Sequence, residues 1–163
     1  MDIDKDEIFN LIKNKDFDKI YNLIKKKEIT KFDIKDNNYN YLIQYFVNYN
    51  QLDIFSLILE MKCTIRIDIL DSDGRNILYY CIKFNYIPLL KKIIEINKKN
   101  IGISIIDLQD RLGFTTLHYA IIFNNEDAFN ILLDNSADPY IISKDESNAF
   151  ILALMYKRNN IIK

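Results

Sequence analysis

Few side chains in this sequence could carry out chemistry. One histidine, His118, and two cysteines, Cys63 and Cys81, are the only imidazole and thiols. A catalytic or metal role for His118 needs a nucleophile, a carboxylate pair or a second ligand at a fixed spacing, and the sequence supplies none. Two cysteines are too few for a disulfide framework and lack metal-ligand spacing, which fits a reducing compartment. The glycines Gly74, Gly102 and Gly113 are too scattered to build a phosphate-cradling loop of either common pattern. Asp36, Asp71 and Asp110 stand at turn positions, where a carboxylate caps nearby backbone N–H groups. The runs Lys25–Lys26–Lys27 and Lys98–Lys99 fall where helices should end, and the helix dipole favours positive charge there. These residues predict no enzyme, no cofactor, no metal and no small-molecule substrate.

The elements that hold these side chains are bounded by size and composition. A chain of 163 residues makes one ordinary domain or one short repeat array. At 49% hydrophobic and 28% charged it can bury a sizeable core. Twenty-two basic residues against 23 acidic ones leave a net charge of −1, against the basic excess of a general nucleic-acid binder. Only 2 Pro and 3 Gly argue against a loop-rich β-sandwich or barrel and favour helices. The opening MDIDKDEIFN is acidic where a signal peptide is basic, and no apolar run reaches the roughly 18 residues of a membrane helix. A soluble, non-secreted, cytoplasmic protein is expected, with no membrane and no nucleic acid among its partners. Ile, Asn and Lys make up about two residues in five, a bias of AT-rich genomes such as those of giant DNA viruses, apicomplexans or intracellular bacteria. Isolated Ile or Asn therefore carries little information.

Internal repetition sets the organisation. Asp110 onward, DRLGFTTLHYAIIFNNEDAFNILLDNSAD, slides back 39 residues onto Asp71, a further 35 onto Asp36 and another 35 onto Met1. A forward slide of 35 reaches Asp145, giving units of about 1–35, 36–70, 71–109, 110–144 and an incomplete 145–163. One aligned column reads Ile8, Ile43, Leu78, Leu117, Leu152, and the next reads Leu11, Phe46, Cys81, Ala120, Met155. They lie one turn apart on one face of a short first helix. A turn column follows, Lys15, Asn50, Asn85, Asn124 and Asn159, where Asn tolerates the left-handed conformation. A second helix then carries Phe17, Leu52 and Ile87; next come Ile20, Phe55, Leu90 and Phe129; it ends on apolar pairs such as Leu132–Leu133. Such a hairpin cannot bury its apolar face alone, so neighbours must stack as an all-α solenoid.

The run Asp110–Arg111–Leu112–Gly113–Phe114–Thr115–Thr116–Leu117–His118–Tyr119–Ala120, followed by Leu132–Leu133 and Ser136–Ala137–Asp138, resembles the ankyrin repeat pattern D-x-x-G-x-T-P-L-H-x-A, paired Leu, G-A-D. Asp71, Gly74, Leu78 and Cys81 keep part of it one unit earlier. The resemblance covers essentially the whole chain and implies about five stacked repeats with short hairpin tips and no continuous sheet. It implies that His118 sits near a helix start and bonds the adjacent turn, and that Cys81 is an inert buried thiol between helices. Thr116 replaces the helix-starting Pro and Ser136 the Gly of G-A-D, so the hairpin exit differs there. Phe46 and Met155 are large for slots where the family prefers Ala, which predicts wider packing. The third unit's four extra residues fall within 97–106, as a longer second helix or a loop, and the fifth unit, stopping at Lys163, reads as part of a longer array.

Two columns on one side of the first helix are aromatic in successive units. The first is Tyr45, Tyr80 and Tyr119; the second is Tyr49, Phe84 and Phe123, with Arg158 continuing it. The ankyrin resemblance implies that such positions line a concave face which, together with the hairpin tips, contacts partner proteins. Arg75, Arg111, Leu112 and Phe114 lie at the tips, two of them apolar where solvation is usual. The expected function is a protein–protein interaction scaffold, with Tyr45, Tyr49, Tyr80, Phe84, Arg111, Leu112, Phe114, Tyr119 and Phe123 as partner-binding residues. The same rings could instead pack against neighbouring helices, and the sequence leaves both readings open. The scaffold could also recruit substrates for a larger protein, such as a ubiquitin-ligase adaptor or host–virus interaction factor.

Overall fold

The computed structural model describes residues 3–32, 34–36, 41–49, 51–61, 67–99 and 104–161, without the side chains of 47, 48 and 52. Asn50, Cys63 and Gly102 and the side chain of Leu52, all drawn on above, lie outside this set. The chain divides into two compact bodies, Met1–Arg66 and Ile67–Lys163. The first holds α1 (Lys5–Lys13), α2 (Phe17–Lys25), α3 (Leu42–Asn48) and α4 (Leu52–Glu60). The second holds α5 (Ile77–Lys83), α6 (Ile87–Lys99), α7 (Thr116–Ile122), α8 (Glu126–Asp134) and α9 (Ala149–Met155). No strand pairing beyond the isolated bridge between Lys35 and Tyr41 occurs among the described residues.

Each first helix is closed by the same backbone bond. The N–H of Asp16 donates to Leu11 O, Gln51 to Phe46 O, Tyr86 to Cys81 O, Asn125 to Ala120 O and Arg158 to Ala153 O, at 2.6 to 2.9 Å. One residue before the donor, the chain turns through the left-handed region at Lys15, Asn85, Asn124 and Lys157 (φ between 54° and 57°). This places an otherwise orphaned helix carbonyl in a bond and reverses the chain into the second helix. Asp16 and Asn125 then cap α2 and α8 through their side chains.

These closures fix the register of every unit. Their spacing is 35, 35, 39 and 33 residues, so the fifth unit sits two residues earlier than the slide of 35 had placed it. Ala153, buried, fills the slot assigned above to Met155, which is 64% exposed, and Lys157 rather than Asn159 takes the left-handed turn. The small residue expected between stacked helices is therefore present in the fifth unit. Phe46 does occupy that slot and is fully buried. The four extra residues of the third unit lengthen α6 to 13 residues, against nine in α2, α4 and α8, one added helical turn. The two missing residues come from the connection 135–148, which has 14 residues where 26–41, 61–76 and 100–115 have 16.

Packing follows the hairpin order inside each body. In the first, α2 packs on α4; in the second, α5 packs on α7, α7 on α9 and α6 on α8. Ile20, Ile24, Phe46, Ile54, Phe55 and Ile58 build the first core, and Leu78, Cys81, Leu90, Ile93, Leu117, Ala120 and Leu132 the second. Buried polar groups are placed in bonds: Asn76 caps Leu78 and Tyr79 and donates to Ile105 O, and Thr116 donates to Ile106 O. Thr116, standing where Pro would start the helix, thereby ties α7 to the preceding connection.

Candidate interaction surface

Each hairpin tip in the second body is a tight turn held by its own acid. Asp71 N–H donates to Arg75 O, Asp110 N–H to Phe114 O and Ser143 N–H to Ser147 O. Oδ1 of Asp110 accepts from the N–H groups of Leu112 and Phe114, and Oδ1 of Asp71 from Asp73 and Arg75. Gly74 and Gly113 sit at φ +83° and +81°, and a Cβ on Gly113 would stand 2.9 Å from Lys144 N. Adjacent tips join through backbone bonds, Arg111 N–H to Asp73 O and Lys144 N–H to Leu112 O. Arg111 and Leu112 remain exposed at the tip.

The tip acid also receives a tyrosine. Tyr45 Oη donates to Asp36, Tyr80 Oη to Asp71 and Tyr119 Oη to Asp110, at 2.5 to 2.6 Å and always nine residues apart. The first aromatic column is thus turned inward: Tyr80 and Tyr119 are buried and Tyr45 is half-buried. Burial, with the Asp110 bond, pushes the Tyr119 phenol up to about 12. Phe114 is likewise half-buried against the rings of His118 and Tyr119, centroids 5.6 and 5.7 Å away.

The second column stays open. Tyr49 and Phe123 are each 39% exposed and Phe84 is partly exposed. In the corrected register the fourth member is Tyr156, 44% exposed, in place of Arg158. Arg158 instead donates Nε and Nη2 to the carbonyls of Ile121 and Ile122, as Asn125 reaches Ile82 O one unit earlier. Sequence reasoning missed Tyr156 because the slide of 35 displaced it by two. The signal that finds it is the closing bond from Arg158 to Ala153. Tyr79, also missed, packs its ring 4.6 Å from Tyr119 and lies under the Arg75 guanidinium at 4.8 Å.

His118 and Cys81 have structural roles. Nδ1 of His118 accepts from Thr115 N–H, so Nε2 carries the proton and faces Ser147 O at 3.3 Å. Burial lowers its pKa and keeps the ring neutral. The Cys81 thiol is fully enclosed and burial pushes it well above the ordinary range. No group of three or more His, Cys, Asp or Glu able to hold a metal occurs among the described residues.

The family comparisons agree with this architecture. A three-copy ankyrin repeat model matches residues 8–105, and a single ankyrin repeat model matches 112–144. The chain belongs to the ankyrin repeat family. A curated ankyrin repeat protein of Acanthamoeba polyphaga mimivirus is 32% identical over 160 residues, 96% of this chain. This chain spans about a fifth of that relative's length. Ankyrin repeats are general protein–protein interaction modules, and no helix among the described residues is long and apolar enough to cross a membrane.

Proposed function

We propose that this ankyrin array is a cytoplasmic binding module that holds a partner protein through the open rings Tyr49, Phe84 and Phe123 and the tip residues Arg111 and Leu112. The supporting observation is the recurrence of a partly exposed ring at the end of successive first helices while the neighbouring tyrosines are bonded inward. Rings anchored at their backbone and open on one face lose little freedom on binding, which suits them as anchors. Tyr80, Tyr119 and Phe114 then serve as the bed under the tips rather than as contacts, and Tyr45 contributes its half-open edge. The test is binding of a partner captured from the cellular milieu by the chain and by Tyr49→Ala/Phe84→Ala/Phe123→Ala, with helical content read by circular dichroism. Loss of capture with full helicity is expected; capture unchanged in the folded triple variant overturns the reading.

A second reading makes the segment the recruiting part of a longer protein, such as a ubiquitin-ligase adaptor or host-interaction factor. It draws support from α9, whose Phe150, Ile151, Leu154 and Met155 are exposed although Leu117, His118 and Ile121 at the matching places in α7 are buried. Co-purification of ligase components with the full gene product tests it.

A further inference from the structure

The two bodies carry the same aromatic–carboxylate arrangement, and only one of them fills it. In the second body the edge of Tyr79 meets Tyr119 at 4.6 Å and 73°, and Tyr119 stacks on Phe123 at 5.9 Å and 20°. The Tyr119 hydroxyl bonds Asp110. The closing bonds align these with Phe9, Tyr45, Tyr49 and Asp36 of the first body. There Phe9 meets Tyr45 at 5.9 Å and 66°, Tyr45 stacks on Tyr49 at 6.3 Å and 13°, and the Tyr45 hydroxyl bonds Asp36.

The occupants differ. In the second body the Arg75 side chain lies with its guanidinium carbon 4.8 Å from the Tyr79 centroid and Nε 3.9 Å from Asp110 Oδ2. The matching residue of the first body is Lys5, which is drawn into α1 and exposed. A cleft of about 350 Å³ opens instead, lined by Asp6, Phe9, Asn10, Asp36, Tyr45 and Tyr49 along with Ile12 and Lys13. The charges are separated along it: Asp6 and Asp36 belong to the end where α1 starts, while Lys13 lies two turns on, toward Tyr49, whose ring has Lys15 Nζ at 6.0 Å.

We infer that this cleft receives an arginine side chain from the partner protein, its guanidinium lying on the Phe9 ring and facing Asp36 and Asp6, in the manner of Arg75 in the second body. This rests on the binding-module reading and names the partner chemistry at one place on it: a basic segment. The Tyr45 bond to Asp36 does not close the site, because Asp110 accepts from Tyr119 and still has Arg75 beside it. A planar cation with several donors fits a ring face and a carboxylate edge at once, which an ammonium does less well.

The test titrates the 163-residue chain, isotope-labelled, with acetyl-Gly-Ser-Arg-Ser-Gly-amide and with the same peptide carrying lysine, citrulline or glutamate. Shifts at Phe9, Asn10 and Tyr45 with the arginine peptide at millimolar concentration are expected. Citrulline, neutral but of similar shape, should bind about tenfold more weakly or not at all. Asp6→Asn, an exposed change, should weaken the arginine peptide several-fold and leave the fold's spectrum intact. Equal shifts with citrulline, shifts with the glutamate peptide alone, or none with any peptide overturns the inference. If the peptides fail while partner capture still depends on Tyr49, Phe84 and Phe123, only the arginine site falls; if both fail, the binding-module reading falls with it.

Discussion

Tyr119 donates its hydroxyl to Asp110, nine residues before it, at 2.5 Å, and Asp110 spends its other oxygen on the N–H groups of Leu112 and Phe114. One carboxylate therefore couples the first helix of a unit to the turn that precedes it. Tyr119→Phe should lower stability by about 1.5–3 kcal/mol, the range for a hydrogen bond to a charged group. Asp110→Ala should cost more, because it also frees two backbone donors. Urea midpoints of the two variants check the order; equal losses would mean the turn bonds contribute nothing.

Glycine and serine at left-handed positions should respond oppositely. Gly113→Ala puts a Cβ 2.9 Å from Lys144 N and 3.0 Å from Ser143 Cα at φ +81°. It should destabilise by at least about 2 kcal/mol. Ser136, at φ 67° and exposed, already bears the strain of a side chain there. Ser136→Gly should raise stability by up to about 1 kcal/mol. Thermal melts of both variants decide it.

Most of the architecture was legible because a hairpin repeat writes its core in every unit. The pairing of helices, the slots of Leu78, Leu117, Cys81 and Ala120, and the left-handed turns at Lys15, Asn85 and Asn124 all follow from columns that survive comparison. The fifth unit was misaligned because Asp145 and Asp110 are both tip acids. Asp145 sits two residues into its turn, where it accepts from Ser143 Oγ, while Ser143 holds the place of Asp110. Which aromatics are buried was not legible at all. Tyr45, Tyr80 and Tyr119 turn inward because each has an acid nine residues back, a relation between columns rather than within one.

His118 gives the fold a dependence on acid. Its pKa in the fold lies below the ordinary 6.5, so the unfolded chain binds the proton more readily. Its contribution is whole above pH 6.5 and is lost as pH falls below that value toward the folded pKa. His118→Gln should flatten this part of the pH profile, measured as urea midpoint between about pH 7 and pH 5. An unchanged slope in the variant would assign the dependence elsewhere.

Cys81 should be silent toward thiol reagents. With Cys63 replaced by Ser, labelling by a maleimide in native buffer should track the unfolding rate, and it should become fast in denaturant. Rapid native labelling would show that the helices around Cys81 part far more easily than their packing suggests.

The closing bond of each hairpin is constant while the distance between bonds runs 35, 35, 39 and 33 residues. Length variation is thus confined to two places: the far end of the second helix, as in α6, and the connection before the next first helix, as in 135–148. Those are the sites at which the chain can take on or shed residues, and a foreign peptide spliced there should leave the hairpins unaware of it. A single residue added inside the five-residue closure would instead rotate everything after it, so the repeat tolerates editing at its seams and forbids it at its bends.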